Sequence, residues 1–385
     1  MGRNIIVVGA GPAGLSLARG LARSRHRVIM VEPQSREQLA DPEPDGREIA
    51  LTKRSVATLR DLAAWDHIPA GDAYPLRQAR VRNGASPFAM AIGSHDGDAL
   101  GTIVSNHHIR KALFAAVERQ PNVEIRYGRK VVAAQCDRNR ARVTLDDGSE
   151  LAGDLLVAAD SRFSATRAMV GIGASITRFR HTMMVGRIAH ARPHNGIATE
   201  WFDHGRTIAV LPLAEGVSSI VLTMADGEAE RVYALPDEEL RALYANLLGG
   251  EWGDISLVTR PRAYPLAMTF ARRFSSERFA LVGDAAVGMH PVTAHGFNFG
   301  LLGASRLAAL VGPATDPGSA LLLRRYAVRH RLVTRPLYEA TLQLVRLFTD
   351  DRRRARPLRS AVLRMGALPP VTRAMGRLLS EARAG

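Results

Sequence analysis

The chain has a single cysteine, Cys136, among 385 residues. No internal disulfide can form, and a multi-cysteine zinc or iron–sulfur site is excluded. A lone thiol does not mark an oxidising compartment, so a cytoplasmic setting is the default. Lysine is nearly missing too. Lys53, Lys111 and Lys130 are the only lysines among 52 basic residues, so arginine carries the formal net charge of +15. From Arg324 onward 15 arginines face Glu339, Asp350, Asp351 and Glu381, a net +11 that leaves +4 for the first 323 residues. A segment of that charge attracts nucleic acid, anionic lipid or acidic proteins. It is aromatic-poor, with Tyr326, Tyr338 and Phe348 as its stacking groups, so nucleic acid is not the expected partner. Long apolar runs are also lacking: none reaches the roughly 18–20 residues of a membrane span. The apolar residues 5–8 are followed by Gly9, Gly11 and Gly14, which break any signal-peptide pattern.

What is present is an ordinary globular composition, 46% hydrophobic and 23% charged, long enough for two or three subdomains. Residues 5–8 read as a buried parallel strand, 12–23 as a helix and 26–32 as a second strand. Residues 33–46 lack a clear period and read as a loop, followed by a helix over 56–65. The spacing predicts a helix over 107–119, then an antiparallel meander of 123–127, 131–135 and 141–145. Residues 154–159 read as another buried strand. Alternating segments between 183 and 224 suggest a second, sheet-based domain over about 170–270. Residues 279–282 read as a strand returning to the first domain, and the chain from 296 onward reads as mostly helical.

Residues 9–14, Gly-Ala-Gly-Pro-Ala-Gly, sit between a predicted strand and helix as a dinucleotide fingerprint requires. Gly9 allows the tight turn, Gly11 lets the backbone approach a pyrophosphate, and Gly14 permits close helix–sheet packing, with Pro12 and Ala13 opening the helix. Glu32, 18 residues beyond Gly14, is placed to accept hydrogen bonds from a ribose. This combination does not separate FAD from NAD(P).

Two further segments bear on that choice. Residues 154–167 (DLLVAADSRFSATR) and 279–286 (FALVGDAA), the latter continuing to His290-Pro291 and to residues 296–301 (GFNFGL), resemble the second and third signatures of the flavoprotein aromatic hydroxylases of the p-hydroxybenzoate hydroxylase fold. The resemblance implies an α/β fold: a Rossmann-type FAD-binding domain like that of glutathione reductase, with an inserted mixed β-sheet substrate domain and a helical C-terminus. On this frame, 1–75, 100–170 and 275–325 form the discontinuous FAD-binding domain, 76–99 and 171–274 the substrate domain, and 326–385 a basic helical segment. Gly283 and Asp284 would meet the ribityl chain, and the backbone of Gly296, Phe297 and Asn298 the reduced flavin. The alternative for Asp284 is an ordinary helix N-cap, which the completeness of the surrounding pattern disfavours. Asp160 belongs to a signature associated with flavin and NAD(P)H contacts, or simply fixes a turn at a strand end. Arg47, in Asp45-Gly46-Arg47, matches the family's Asp-x-Arg and would lie beside the isoalloxazine. Asn106 and His107 fall where the family has Asn-Arg, His107 replacing the arginine; a helix-cap role for Ser105 or Asn106 is the alternative.

Two more departures stand out. Ser161 occupies a position that is normally glycine, and His295 one that is usually glutamine in the related quinone hydroxylases. His295 and Pro291 are the candidates for the flavin and substrate side, with a merely packed polar role as the alternative for His295. Residues 201–202, 209–213 and 264–266 most resemble the ubiquinone-biosynthesis hydroxylases, and the segments 159–164 and 294–298 their 5-demethoxyubiquinol 5-hydroxylase subtype. The resemblance implies FAD and NAD(P)H as cofactors, dioxygen and a prenylated quinol as substrates, a C4a-hydroperoxyflavin as oxidant, and no metal. The basic C-terminus, with Leu342, Leu344, Leu347 and Leu358 among its arginines, would hold the protein peripherally at the inner membrane near other enzymes of the pathway. A hydroxylase of a small soluble phenol or heteroaromatic is the alternative.

Overall fold

The structure, a computed structural model, describes residues 2–348 except 85, 87, 94–97 and 204, together with 361, 362, 364–366, 368 and 372. Its centre is a six-stranded sheet. Asn4–Val8 lies between Leu155–Ala158 and Arg27–Glu32, all parallel, with Val123–Tyr127 beyond the latter and Phe279–Leu281 beside Leu155–Ala158. The short strand Ser275–Ser276 closes the edge in antiparallel sense. Ile5, Ile6 and Val7 have no solvent exposure, because helices cover one face of the sheet and a meander the other. Continuous apolar runs are what a strand buried on both faces demands.

Val123–Tyr127 corrects the sequence reading: it is the edge strand of the parallel sheet. The meander is Val131–Cys136, Ala141–Leu145 and Glu150–Gly153. Residues 33–46 are also more ordered than a plain loop. Arg36–Ala40 is helical, started by a capping box in which the Ser35 hydroxyl accepts from the Gln38 N–H and the Gln38 side chain accepts from the Ser35 N–H.

The eight-stranded sheet runs, in spatial order, Val287–Gly288, Ile255–Ala271, Ala174–His190, Val217–Ala225, Arg206–Pro212, Ile197–Asp203, Gln78–Asn83 and Ala89–Gly93. The contact between Ile197–Asp203 and Gln78–Asn83 is parallel and brings in a segment about 120 residues earlier in the chain. Helices Asp226–Tyr233 and Asp237–Leu247, which the alternation did not foretell, cover its outer face. A small sheet of Glu48–Thr52, Gly101–Ser105 and Ala73–Leu76 stands on the inner side.

The last long helix, Ala320–Phe348, has 29 residues and spans about 44 Å. The Tyr326 hydroxyl donates to Leu281 O at 2.7 Å, fixing the helix against the six-stranded sheet, while Leu344 and Leu347 reach the apolar cluster of the small sheet. The arginines at 352–359 lie outside the described residues. No described helix is long and apolar enough to cross a membrane.

Candidate functional site: an FAD cradle

The first strand ends at Val8 and the helix Pro12–Gly20 begins four residues later, so residues 9–11 must turn sharply. Gly9 does so at φ +102°, where a Cβ would stand 2.7 Å from Ala159 O. At Gly14 a Cβ would stand 2.0 Å from Gly9 O. Gly11 differs: its backbone is extended, and a Cβ there would meet nothing within 4 Å. The open space lies where the first helical bond, Leu15 N–H to Gly11 O, leaves the preceding amides free of the helical ladder. Pro12 at the first helical position sacrifices no hydrogen bond.

Glu32 ends the neighbouring strand. One carboxylate oxygen accepts from the Ala10 N–H at 2.6 Å, the other from the Gln34 N–H at 3.0 Å. It therefore holds the glycine turn in place. A carboxylate has about four acceptor positions, so capacity for a ribose hydroxyl remains.

Residues 160–167 and 283–286 are tied to each other by two arginines. Arg162 donates to Asp284 Oδ2 at 2.9 Å and to Ala267 O at 2.9 Å; buried Arg167 donates to Ala285 O at 2.8 Å. Asp284 thus takes an ion pair, and the N-cap alternative is not what the structure has. Asp160 does have the turn role: its Oδ2 accepts from the Thr166 N–H at 3.2 Å. Its Oδ1 is buried without a hydrogen-bond partner. Gly283, at φ +61°, lies where a Cβ would come within 2.7 Å of Ala13 Cβ, and Gly300 packs against Gly283. The first and third signatures, some 270 residues apart, are therefore packed closely together at Ala13 and Gly283.

The helix Gly296–Val311 starts beside this junction. Its first intrahelical bond is Phe299 N–H to His295 O, so the amides of Gly296, Phe297 and Asn298 lie outside the ladder at its positive end. Both N–H groups of the Asn298 side chain are used. It accepts from the Thr52 N–H at 3.1 Å and donates to Ala50 O at 3.0 Å and Ala294 O at 2.8 Å. Its backbone N–H is left to meet a cofactor, and the side chain locks the strand Glu48–Thr52 to the helix start.

That strand begins just after Arg47. The Arg47 guanidinium grips Asp45 Oδ2 at 2.6 and 2.9 Å, and Asn106 donates to the same oxygen at 2.7 Å. Burial raises the Asp45 pKa, but the charge of Arg47 and these hydrogen bonds outweigh it, so the carboxyl ends below its usual range. Tyr264 donates its hydroxyl to Asp45 O at 2.6 Å and lies under the Arg47 guanidinium, 5.5 Å away. Ser105, not Asn106, is the N-cap of the helix Asn106–Glu118, accepting from the His108 N–H. His107 follows in the first turn, with its Nδ1 buried and without a hydrogen-bond partner.

His295 is buried at the N-cap of Gly296–Val311. Its Nδ1 donates to Thr293 O, an acceptor by chemistry, which fixes the ring. Pro291 is exposed and opens the short turn 291–293, capped by His290 Nδ1 accepting from the Val292 N–H at 3.2 Å. Burial, aided by His181 and Arg162, drives the His290 pKa down to about 3, so this imidazole is neutral. The structure therefore clusters Arg47 and Asn106 with the strand locked by Asn298, and groups Gly283, Asp284 and the 9–14 turn at one junction.

Sequence reasoning missed the partners that hold these residues. The Arg162–Asp284 and Arg187–Glu48 pairs span 122 and 139 residues, beyond any local period. Glu48 has no side-chain exposure; burial raises its pKa despite Arg187 at 2.7 Å. The Cys136 thiol is pushed up to about 12 by burial and Asp137, which disfavours the reactive thiolate. Among the described residues no histidine, cysteine and carboxylate cluster could hold a metal.

The residues fit FAD. The space at Gly11 would admit the pyrophosphate, the acceptors of Glu32 and Asp284 would take the sugar and ribityl hydroxyls, and the free amides at 296–298 would face the electron-accepting ring edge. The family described as FAD binding domain matches residues 3–341. The chain belongs to the FAD-dependent monooxygenase family. It is 42% identical to the ubiquinone hydroxylase UbiM of Neisseria meningitidis, over 98% of this chain and 84% of the relative. With the ubiquinone hydroxylase UbiL of Rhodospirillum rubrum it shares 32% identity over 90% and 82% of the two chains. Among solved structures, p-nitrophenol 4-monooxygenase PnpA of Pseudomonas putida superposes with a TM-score of 0.78 over 99% and 98% of the chains, at 20% identity. That likeness gives the fold, the one the p-hydroxybenzoate hydroxylase resemblance implied. The protein is an FAD-dependent monooxygenase, with NAD(P)H as the reductant typical of its family.

Proposed function

We propose that this monooxygenase hydroxylates the ring of a polyprenylated quinol in ubiquinone biosynthesis, and that its specific step is 5-demethoxyubiquinol 5-hydroxylation. The observation that carries the reading is the apolar cluster between the small sheet and the inner face of the large one. Leu76, Met90, Ile103, Phe202 and Leu213 are buried together there, and apolar surroundings of that kind suit a ring bearing an isoprenoid chain. The named activities of the two relatives at 42% and 32% identity support it.

Bound FAD would supply acceptance of two electrons from NAD(P)H and activation of dioxygen. The chain does the rest. Gly9, Gly11, Pro12, Ala13, Gly14, Glu32, Asp160, Gly283 and Asp284 hold the dinucleotide. Arg47, Asn106 and His107 would lie on the isoalloxazine side, and the amides of Gly296, Phe297 and Asn298, free at a helix start, would stabilise negative charge there. His295 and Pro291 close the flavin and substrate side, excluding water. The discontinuous FAD-binding part (1–75, 100–170, 275–325) carries this cradle. The sheet part (76–99, 171–274) supplies the wall above it, and the basic segment 326–385 brings the enzyme to the bilayer in which its substrate resides.

The test is oxygen uptake driven by NAD(P)H with the purified protein, using a demethoxyubiquinol of short prenyl tail and, separately, simple phenols. A product heavier by one oxygen atom from the prenylated quinol supports the reading. Turnover of simple phenols alone overturns it in favour of a small-phenol hydroxylase.

A further inference from the structure

Side chains alternate across the large sheet, and its two faces have different fates. Ile208, Val210, Ile220 and Leu222 point outward and are sealed beneath helices Asp226–Tyr233 and Asp237–Leu247, each at most 3% exposed. The inner face looks toward the small sheet and the 45–47 loop. Strand register sets Val81, Glu200, Ala209, Val221 and Val185 side by side along it. The row begins at the cofactor side, where a Cβ on Gly46 would touch Val185 O at 3.3 Å. Three strand spacings, about 14 Å, then lead to Glu200. Val81, Glu200, Ala209 and Val221 keep partial accessibility although they stand in mid-sheet.

Glu200 is thus a carboxyl group in an otherwise apolar wall. Among the described residues it has no hydrogen-bond or ion-pair partner. The flanking Phe202 belongs to the same apolar cluster as Leu76, Leu100 and Ile103 opposite. Ionisable groups on the surrounding elements are engaged elsewhere: Glu48 with Arg187, Tyr74 with Asp72, and Arg262, at the far end of the row, with Glu43. Arg346, on the helix that brings Leu344 and Leu347 here, exerts its charge on Tyr338. An unpaired carboxyl set in apolar surroundings costs stability that an apolar side chain would not.

We propose that Glu200 is the substrate-anchoring residue, its carboxyl hydrogen-bonding a ring hydroxyl of the quinol and so turning the ring toward the flavin. This rests on the quinol-hydroxylase reading. Burial alone lifts the Glu200 pKa to about 8, so the free enzyme holds the group protonated at neutrality and ionises it in mildly alkaline solution. As carboxylate it accepts from the phenolic O–H; where it takes the proton, the O–H electron pair stays on the ring oxygen and enriches the ring for attack.

The test compares wild type, Glu200→Leu and Glu200→Gln with a short-tailed demethoxyubiquinol, reading KM, the ratio of product to hydrogen peroxide, and both across pH 6–9. FAD content and melting temperature report folding. Glu200→Leu should raise KM about tenfold, the worth of one hydrogen bond, and divert oxygen to peroxide. Glu200→Gln should recover coupling yet lose the inflection near pH 8. Wild-type KM and coupling in a folded Glu200→Leu, or an unchanged inflection in Glu200→Gln, overturns the proposal. Absence of prenylated-quinol turnover in wild type overturns the functional reading instead.

Discussion

Gly11→Ala isolates the cofactor's claim on the glycine turn from the fold's. A methyl group at Gly9 would collide with Ala159 O and at Gly14 with Gly9 O, but at Gly11 it meets nothing within 4 Å, on a backbone that alanine readily adopts. Without cofactor the variant loses a small capping preference and gains about 0.4–1 kcal/mol from a less flexible unfolded chain, so its stability should stay within about 1 kcal/mol of wild type. With FAD the same methyl occupies the space left for the pyrophosphate. Free FAD at 100-fold over its Kd stabilises the wild type by about 2.7 kcal/mol, or about 3 °C for a chain of this size. The variant should show neither that rise nor bound flavin absorbance. The assay is melting temperature with and without FAD, alongside flavin content after gel filtration. A Gly11→Ala protein that keeps its flavin with unchanged affinity would refute the placement of the pyrophosphate. So would one that melts far below the apo wild type.

Glu32→Ala leaves the buried Ala10 N–H unpaired, and urea unfolding of the apo protein should show a loss of about 1–3 kcal/mol. Arg187→Met strands the buried Glu48 carboxylate and should cost about 3–5 kcal/mol at neutral pH, with Glu48→Gln in the same background recovering most of it. The Glu48 pKa in the folded state is raised above its ordinary 4.5, so the folded form holds this proton more tightly than the unfolded chain. Its contribution to stability is full below about pH 4.5 and is lost as pH rises through the folded value; Arg187→Met should steepen that decline in denaturation curves measured from pH 4 to 8. Deleting residues 350–385 should abolish binding to vesicles rich in anionic lipid at low salt, and unchanged co-sedimentation would remove the membrane reading.

The glycine turn was legible because its determinants are local: three glycines, a flanking strand and helix, and an acid at the end of the next strand. The helix Asn106–Glu118 and the strand Leu155–Ala158 were legible for the same reason. Edge strand Val123–Tyr127 was not, since its half-exposed pattern suits a meander as well as a sheet edge, and its partner Arg27–Glu32 lies some 95 residues away. Helices 226–233 and 237–247 went unread beneath a run of alternating strands. The site shows the same division. The fingerprint residues announce themselves, whereas Arg162 on Asp284, Asn298 on the strand Glu48–Thr52, and Glu200 in its apolar row acquire meaning only through tertiary register.

The central claim, ring hydroxylation of a prenylated quinol, is tested most directly with isotopically labelled dioxygen. Purified protein, FAD, NAD(P)H and a short-tailed demethoxyubiquinol would be incubated under the labelled gas and the product analysed by mass spectrometry. The account predicts one labelled oxygen atom on the ring for each NAD(P)H consumed, with little peroxide. Label recovered only in peroxide or water, or none taken up, would contradict it.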